Sequence, residues 1–372
     1  MAREASAASK LAAWYAANAR DLPWRRRVTP YRVLVSEIML QQTTVETAVP
    51  YFERFVSAFP DLDALAAAGV DEVLEIWSGL GYYRRARLLH KAARAIVRHH
   101  GGLVPEEEAV LRALPGIGPY TASAIRAIAH RRSAIALDGN LRRVLARLEA
   151  LEGDVRGAVA GRQLTARGLE LLAAGDPSAI NQALMDLGAT ICTPREPRCP
   201  RCPIRSSCRA RALGLTGSIP EVASRPRPIA VTLVAAVLGD GTGLLLRRRG
   251  GRLMAGMWEF PAWRVGSTKE AGTRISREAR AAGRLDGDLR HVATLRHTIT
   301  RHRITIEVFR GKMKPGRPPG QRAARSSAGR EGGADLSGER ESGPPRWFSP
   351  ERARALPLTG IARKILKSTL SL

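Results

Sequence analysis

At 372 residues the chain is long enough for two separately cored domains, and 44% hydrophobic with 25% charged residues is the composition of a folded protein. Sixty lysines and arginines against 34 aspartates and glutamates leave a formal charge of +26, an excess that favours polyanionic partners through counterion release. No stretch approaches the roughly 20 apolar residues of a membrane span, and residues 1–10 lack the apolar core of a signal peptide, so a reducing, cytoplasmic setting without a disulfide framework is expected.

From residue 10 to about 213, apolar residues recur three and four apart, as at Tyr31, Leu34, Val35 and Ile38 and again at Leu88, Ala92, Ala95 and Ile96. This predicts an all-helical domain over 1–213, punctuated by Pro30, Pro60, Gly69, Gly101 and Pro105. Residues 214–228 turn to Gly, Ser, Pro and Arg and read as a linker. A mixed α/β domain is predicted over 229–371, with strands at 229–238 and 244–246 around Gly239-Asp240-Gly241. Strand character continues over 297–309, where Ile304, Ile306 and Val308 alternate. Residues 314–345 carry no aromatic side chain and are rich in Gly, Arg, Ser and Pro, the composition of a disordered insertion. Order is expected again at Trp347-Phe348, then in a last helix through Ile361, Ile365 and Leu366.

Four segments of the helical domain carry chemistry. Cys192, Cys199, Cys202 and Cys208 are all the cysteines of the chain and stand as C-x6-C-x2-C-x5-C. Four thiolates in one short loop suit a tetrahedral zinc or a four-iron, four-sulfur cluster, although structural zinc sites generally use two close pairs and only Cys199/Cys202 makes one. Arg195, Arg198, Arg201, Arg205 and Arg209 lie between and beside them, either as a phosphate-binding surface or as solvated charge. In Leu114-Pro115-Gly116-Ile117-Gly118-Pro119-Tyr120-Thr121, between two helical runs, Gly116 and Gly118 allow a tight turn whose backbone N–H groups can meet a phosphate. The apolar run 134–137 then ends at Asp138-Gly139-Asn140, where Asp138 is either a helix N-cap or a carboxylate placed for catalysis. Glu37 sits in Ser36-Glu37-Ile38-Met39-Leu40-Gln41-Gln42-Thr43; it is either an exposed helix glutamate or an acid whose pKa burial raises.

The cysteine spacing resembles the cluster loop of the endonuclease III and MutY family of DNA glycosylases. The order of hairpin, aspartate and cysteine loop resembles the helix-hairpin-helix glycosylases across nearly all of 10–213. That resemblance implies a [4Fe-4S] cluster on the four cysteines and a catalytic set of Glu37, Tyr120, Asp138 and Asn140. The segment around Glu37 is similar to the adenine-specific branch, in which a glutamate protonates adenine N7 while the aspartate stabilises positive charge on the sugar. Tyr120 stands where strand-cleaving relatives carry a Schiff-base lysine, so a monofunctional enzyme is implied, with Tyr120 hydrogen-bonded to Asp138. Gly79-Leu80-Gly81-Tyr82-Tyr83-Arg84-Arg85-Ala86 resembles the family's duplex-inserting loop. Leu80, Tyr82 and Arg84, with Gln41, Gln42 and Thr43, are therefore expected on DNA, Tyr82 as wedge or else as core. Arg25, in Leu22-Pro23-Trp24-Arg25, is expected to orient Glu37 or the base, or to bind a phosphate.

Leu244-Leu245-Leu246-Arg247-Arg248-Arg249 followed by Met257-Trp258-Glu259-Phe260-Pro261 resembles the Nudix-like C-terminal domain of the MutY branch. Residues 277–283 have alanines where a working Nudix hydrolase carries its magnesium-binding glutamates, which predicts recognition in place of pyrophosphate hydrolysis. Thr300 and Arg301 fall at the family's lesion-reading loop, with arginine in place of a histidine and His302 one residue further on. The expectation is a monomeric adenine DNA glycosylase, acting in a bacterial-type nucleoid on duplex DNA with adenine opposite 8-oxoguanine or guanine. A thymine/uracil mismatch glycosylase and a non-catalytic DNA-binding protein are the alternatives.

Overall fold

The computed structural model describes residues 2–221, 227–239, 243–250, 254, 256–266, 273, 285–299, 301–313 and 345–369, with side chains from residue 7 onward. The chain divides into two units, Met1–Leu80 with Arg85–Ser224, and Gly81–Arg84 with Arg225–Leu372.

The first unit is helical. Its elements are α1 (Ala2–Asn18), α2 (Pro23–Arg26), α3 (Pro30–Leu40), α4 (Val45–Ala58), α5 (Leu62–Ala67), α6 (Val70–Trp77) and α7 (Arg84–His100). These are followed by α8 (Glu108–Ala113), α9 (Pro119–Ala124), α10 (Gly139–Glu149), α11 (Ala158–Leu172), α12 (Pro177–Thr190) and α13 (Arg209–Ala212). Local chemistry sets the starts that matter for the site. Thr29 caps α3 by accepting from the Arg32 N–H at 3.2 Å, with Pro30 at the first helical position. Asp176 caps α12, accepting from Ser178 N at 2.7 Å, again ahead of a proline. Directly after α9, residues Ile125–Ala129 wind as a π-helical turn, a departure from α geometry often found beside functional sites.

Two apolar clusters hold this unit together. One centres on buried Phe55, which meets Phe59 and Trp77 edge-on at 5.0 and 5.8 Å. The other joins Leu11 of α1, Leu141 and Leu145 of α10 and Leu184 and Leu187 of α12, with Cys192, Cys202 and Cys208 at its margin. The hairpin between α8 and α9 is pinned by Gly116, whose φ of +82° is a left-handed conformation. A Cβ there would also lie 2.7 Å from the Leu88 Cβ on α7. Gly118 has no such neighbour within 4 Å and leaves its approach open.

The second unit is built on a sheet of order β3-β2-β1-β6-β5, with β4 added to β1 and β7 to β2. The strands are β1 (Ile229–Gly239), β2 (Leu244–Arg248), β3 (Trp258–Glu259), β4 (Ala262–Val265), β5 (Leu285–Ile299), β6 (His302–Met313) and β7 (Arg346–Phe348). β1 and β6 run parallel and the other pairs antiparallel. One sheet face packs Leu233, Leu246, Ile304 and Ile306 against α14 (Pro350–Ala355) and α15 (Gly360–Thr369), through Ala353, Ala362 and Ile365. The strand character expected over 297–309 divides between the end of β5 and most of β6. Ile299 pairs with His302 across an antiparallel hairpin; alternation of apolar residues persists on both sides of a reversal and so does not reveal it. β5 itself, exposed along most of its length at the sheet edge, gave no such pattern. Thr300, residues 277–283 and the tract 314–344 lie outside the described residues. Among the described residues no helix is long and apolar enough to cross a membrane.

Replacing Gly116 by alanine should therefore destabilise the first unit by about 1–3 kcal/mol, from the left-handed backbone together with the Leu88 contact. Urea unfolding of the variant and of Gly118→Ala, which should stay within about 1 kcal/mol of wild type, checks this.

Candidate active site and cysteine loop

Elements α2, α3, α9, α10 and α12 converge on one pocket of about 460 Å³, within the usual range for small-ligand sites. Glu37, Tyr120, Asp138 and Asn140 all line it, together with Arg25 and the turn Gln41-Gln42-Thr43. Thus residues separated by more than a hundred positions in the chain meet at one cavity.

Glu37 is only 5% exposed, which removes the exposed-glutamate alternative. Burial pushes its carboxyl up to about 7; Asp138 adds to the rise, while a hydrogen bond from Tyr120 and the charge of Arg25 oppose it. Its Oε2 is buried without a partner among the described residues, an atom held in wait for a ligand or a proton. The Tyr120 hydroxyl donates to Glu37, so the expected bond to Asp138 is corrected. Burial first, then the two neighbouring carboxylates, keep that phenol well above its ordinary value and hence neutral.

Asp138 is the N-cap of α10, where its Oδ1 accepts from Leu141 N at 2.7 Å, and also faces the pocket. Burial raises its pKa, against hydrogen bonds from Leu141 and Asn140 and the charge of Arg143. Asp138 therefore has donors that stabilise its anion, whereas Glu37 has a bare buried oxygen, so the first proton shared by the two carboxyls belongs on Glu37.

Arg25 does not face outward for a phosphate. Its Nη1 and Nη2 donate to Asp186 at 2.7 and 3.0 Å, its guanidinium lies 5.5 Å over the Tyr15 ring, and Arg20 Nε reaches the same carboxylate at 2.6 Å. Burial alone would raise Asp186, but the two arginines hold it below the ordinary carboxylate range. Asp186, Arg20, Trp24 and the pocket residues Gln182 and Met185 were not singled out from sequence. A charged residue amid Leu184, Met185 and Leu187 on an apolar helix was the available signal for Asp186. Of the expected DNA-facing residues, Tyr82 is 47% exposed with φ +49°, which removes its core alternative, and Arg84 is also exposed. Leu80, by contrast, is buried. In the second unit Arg301 is exposed at the β5–β6 turn, and His302 Nδ1 is buried without a partner among the described residues.

The four cysteines line one small cavity below α10. Cys192 follows the end of α12, Cys199 opens a 3₁₀ turn, and Cys208 caps α13. Arg147 of α10, 2% exposed, donates to Cys192 Sγ at 3.3 Å and to the carbonyls of Thr193 and Pro194, while Cys208 Sγ contacts Arg147 O at 3.3 Å. Arg143 ties Asn140 Oδ1 to the carbonyls of Gly188 and Cys192 at 2.7–2.8 Å. Among the described residues no three His, Cys, Asp or Glu side chains converge on a point where one ion could sit. One zinc would require all sulfurs about 2.3 Å from the same ion, whereas a cluster offers a separate iron to each thiolate and tolerates wider spacing. Burial, then the other three thiols, push the Cys202 thiol up to about 12.

The pocket, the hairpin with its open Gly118 and the basic cysteine loop define a DNA-repair class. Residues 35–164 match the HhH-GPD superfamily of base excision DNA repair proteins, and residues 233–368 match the NUDIX domain. The chain belongs to the adenine DNA glycosylase family. It is 33% identical over 357 residues to the adenine DNA glycosylase of Mus musculus, covering 81% of this chain and 69% of that one. It is 43% identical over 211 residues to that of Mycolicibacterium smegmatis, covering 55% and 69% respectively. The chain spans 65% of the human relative, at 35% identity over 80% of this chain. A solved structure described as a thermostable thymine-DNA glycosylase superposes on 57% of this chain and 98% of its own, with 27% identity and a TM-score of 0.52.

The raised Glu37 carboxyl has a consequence for stability. Between the ordinary value of 4.5 and about 7 the unfolded chain gives up this proton while the native state keeps it, so native stability falls as pH rises through that window. Glu37→Gln should therefore gain stability relative to wild type from pH 4.5 to pH 7 and hold a constant advantage above it, as read by thermal unfolding across that range.

Proposed function

We propose that the chain is a monofunctional adenine DNA glycosylase that removes adenine opposite 8-oxoguanine or guanine in duplex DNA. The observation that carries this reading is the pairing of a buried Glu37 carboxyl, held near pH 7 in its acid form, with a hydrogen-bonded Asp138 in one nucleobase-sized pocket. Protonated Glu37 gives its proton to adenine N7 as the N-glycosidic bond breaks and its electron pair passes to the base. Ionised Asp138 stabilises the positive charge left on the sugar, and water adds at C1′, loses a proton and leaves an abasic site. Neutral Tyr120 hydrogen-bonds Glu37 and supplies no amine for a Schiff base, so strand scission is not part of the reaction.

Cys192, Cys199, Cys202 and Cys208 would hold a [4Fe-4S] cluster, whose part is to brace the loop that carries Arg195, Arg198 and Arg201 towards DNA phosphates. Duplex binding follows from the +26 charge, these arginines and the hairpin glycines Gly116 and Gly118. Choice of the opposite base falls to the second unit, through Thr300 and Arg301. A thymine or uracil mismatch glycosylase is the second reading, favoured by the thymine-DNA glycosylase likeness. Against it stands Glu37, since a departing pyrimidine has no N7 to protonate.

Duplexes carrying A:8-oxoG, A:G, T:G and U:G, treated with alkali after incubation, separate the readings. Abasic sites are expected only from the adenine strands, with no scission before alkali; excision confined to the pyrimidine mismatches would reverse the assignment. Single-turnover rates should fall towards tenfold per pH unit above about 7, where Glu37 loses its proton. Glu37→Gln and Asp138→Asn should each lose excision by more than a hundredfold while duplex affinity stays within a few-fold. Purified protein should contain about four irons per chain and no stoichiometric zinc.

A further inference from the structure

The turn that follows α3 is an expensive piece of backbone. α3 ends at Leu40, Gln41 caps it with φ −57° and ψ 109°, and Gln42 then takes φ +60°. That left-handed conformation is uncommon for a residue with a side chain, and such a residue persists only where its surroundings fix it. Helices that end in a left-handed residue generally use glycine, whose N–H closes the last turn. Here Leu40 O accepts from Thr43 N at 3.3 Å, and the two carbonyls before it are met by a side chain from another helix.

That side chain is Arg85, buried in the first turn of α7. Its Nη1 donates to Ile38 O at 3.0 Å and Met39 O at 2.7 Å, and to Gln41 O. Nη2 donates to Thr43 Oγ1 at 3.0 Å, and the guanidinium lies 5.6 Å over the Trp77 ring. One planar cation thus holds residues on both sides of Gln42, and its charge sits at the negative end of the α3 dipole. Gln41 is held from its other side, where Nε2 reaches Thr121 Oγ1 at 3.3 Å. These Arg85 contacts are to the turn itself, which lines the pocket through Gln41, Gln42 and Thr43.

We propose that Arg85 is a positioning residue that clamps the Gln41–Gln42 turn in its left-handed form, and that this form sets how readily the target base is extruded from the duplex. The proposal rests on the reading of the chain as a DNA glycosylase with this turn at the duplex. A lysine keeps the charge but not the fork, and cannot span the α3 carbonyls and Thr43 together. A glycine at position 42 takes the left-handed form without the clamp.

The test is a cycle of Arg85→Lys and Gln42→Gly in the full-length protein. Single-turnover excision of an A:G duplex and the fluorescence rise of 2-aminopurine replacing the target adenine are both read, with thermal unfolding alongside. Arg85→Lys should lose about tenfold in excision and most of the fluorescence rise when glutamine is at 42, and at most threefold with glycine there. An equal loss in both backgrounds, as a general weakening of the fold would give, overturns the proposal. Should Arg85→Lys unfold, Gln42→Gly against Gln42→Ala decides, since both lack the carboxamide and differ in the cost of a left-handed backbone. The glycine variant should extrude and excise at least threefold better, and equality would overturn the clamp. A wild type that binds and extrudes but excises nothing would sink the glycosylase reading alone, because the fluorescence arm still tests Arg85.

Discussion

Taking the Glu37 carboxyl out of water is the constraint on which the rest of the first unit depends. An isolated buried carboxylate is costly, so the group keeps its proton to about pH 7, and that retained proton is what makes it an acid. The surroundings preserve this state without neutralising it. Tyr120 offers one hydrogen bond and Arg25 a charge, but Asp186 absorbs both Arg25 and Arg20, so neither arginine forms an ion pair with Glu37 that would strip the proton. Asp138 sits beside it with the opposite endowment, fed by the α10 N-terminus. Two carboxyl groups in one pocket are thus driven apart in acidity by their hydrogen-bond partners.

Helix α10 joins that pocket to the cysteine loop. Its first turn carries Asp138 and Asn140, its second Arg143, and its third Arg147 on Cys192 and the loop carbonyls. Close approach of α12 is part of the same arrangement, because a Cβ on Gly188 would lie 2.8 Å from the Asn140 Cβ. The cysteine loop and the pocket carboxyl of Asp138 are therefore registered against one rigid rod.

Much of this was legible in the chain. Cysteine spacing, the Gly116–Gly118 hairpin and the segment around Glu37 are local patterns, and local patterns survive in a linear string. Helical periodicity marked the first domain most clearly at α7, where Leu89, Ala92, Ala93 and Ile96 are buried and the last turn is basic. What escaped were relations between distant positions: the Asp186 partners 161 and 166 residues away, the Arg85 clamp 44 residues from Gln41, and the bond from Tyr120 to Glu37. The β5–β6 reversal escaped for another reason. Alternation reports which way side chains face and is blind to a change of direction, and β5 is too exposed to show strong alternation at all.

The shared carboxylate of Asp186 has an unequal tolerance built into it. Two cations serve one anion, so the loss of either arginine leaves a complete ion pair and a carboxylate still satisfied. Loss of the aspartate instead strands two guanidinium groups at the wall of the pocket, where they would repel one another and turn towards the nearest remaining carboxyl, Glu37 among them. The cluster is thus redundant in its basic members and brittle in its acidic one.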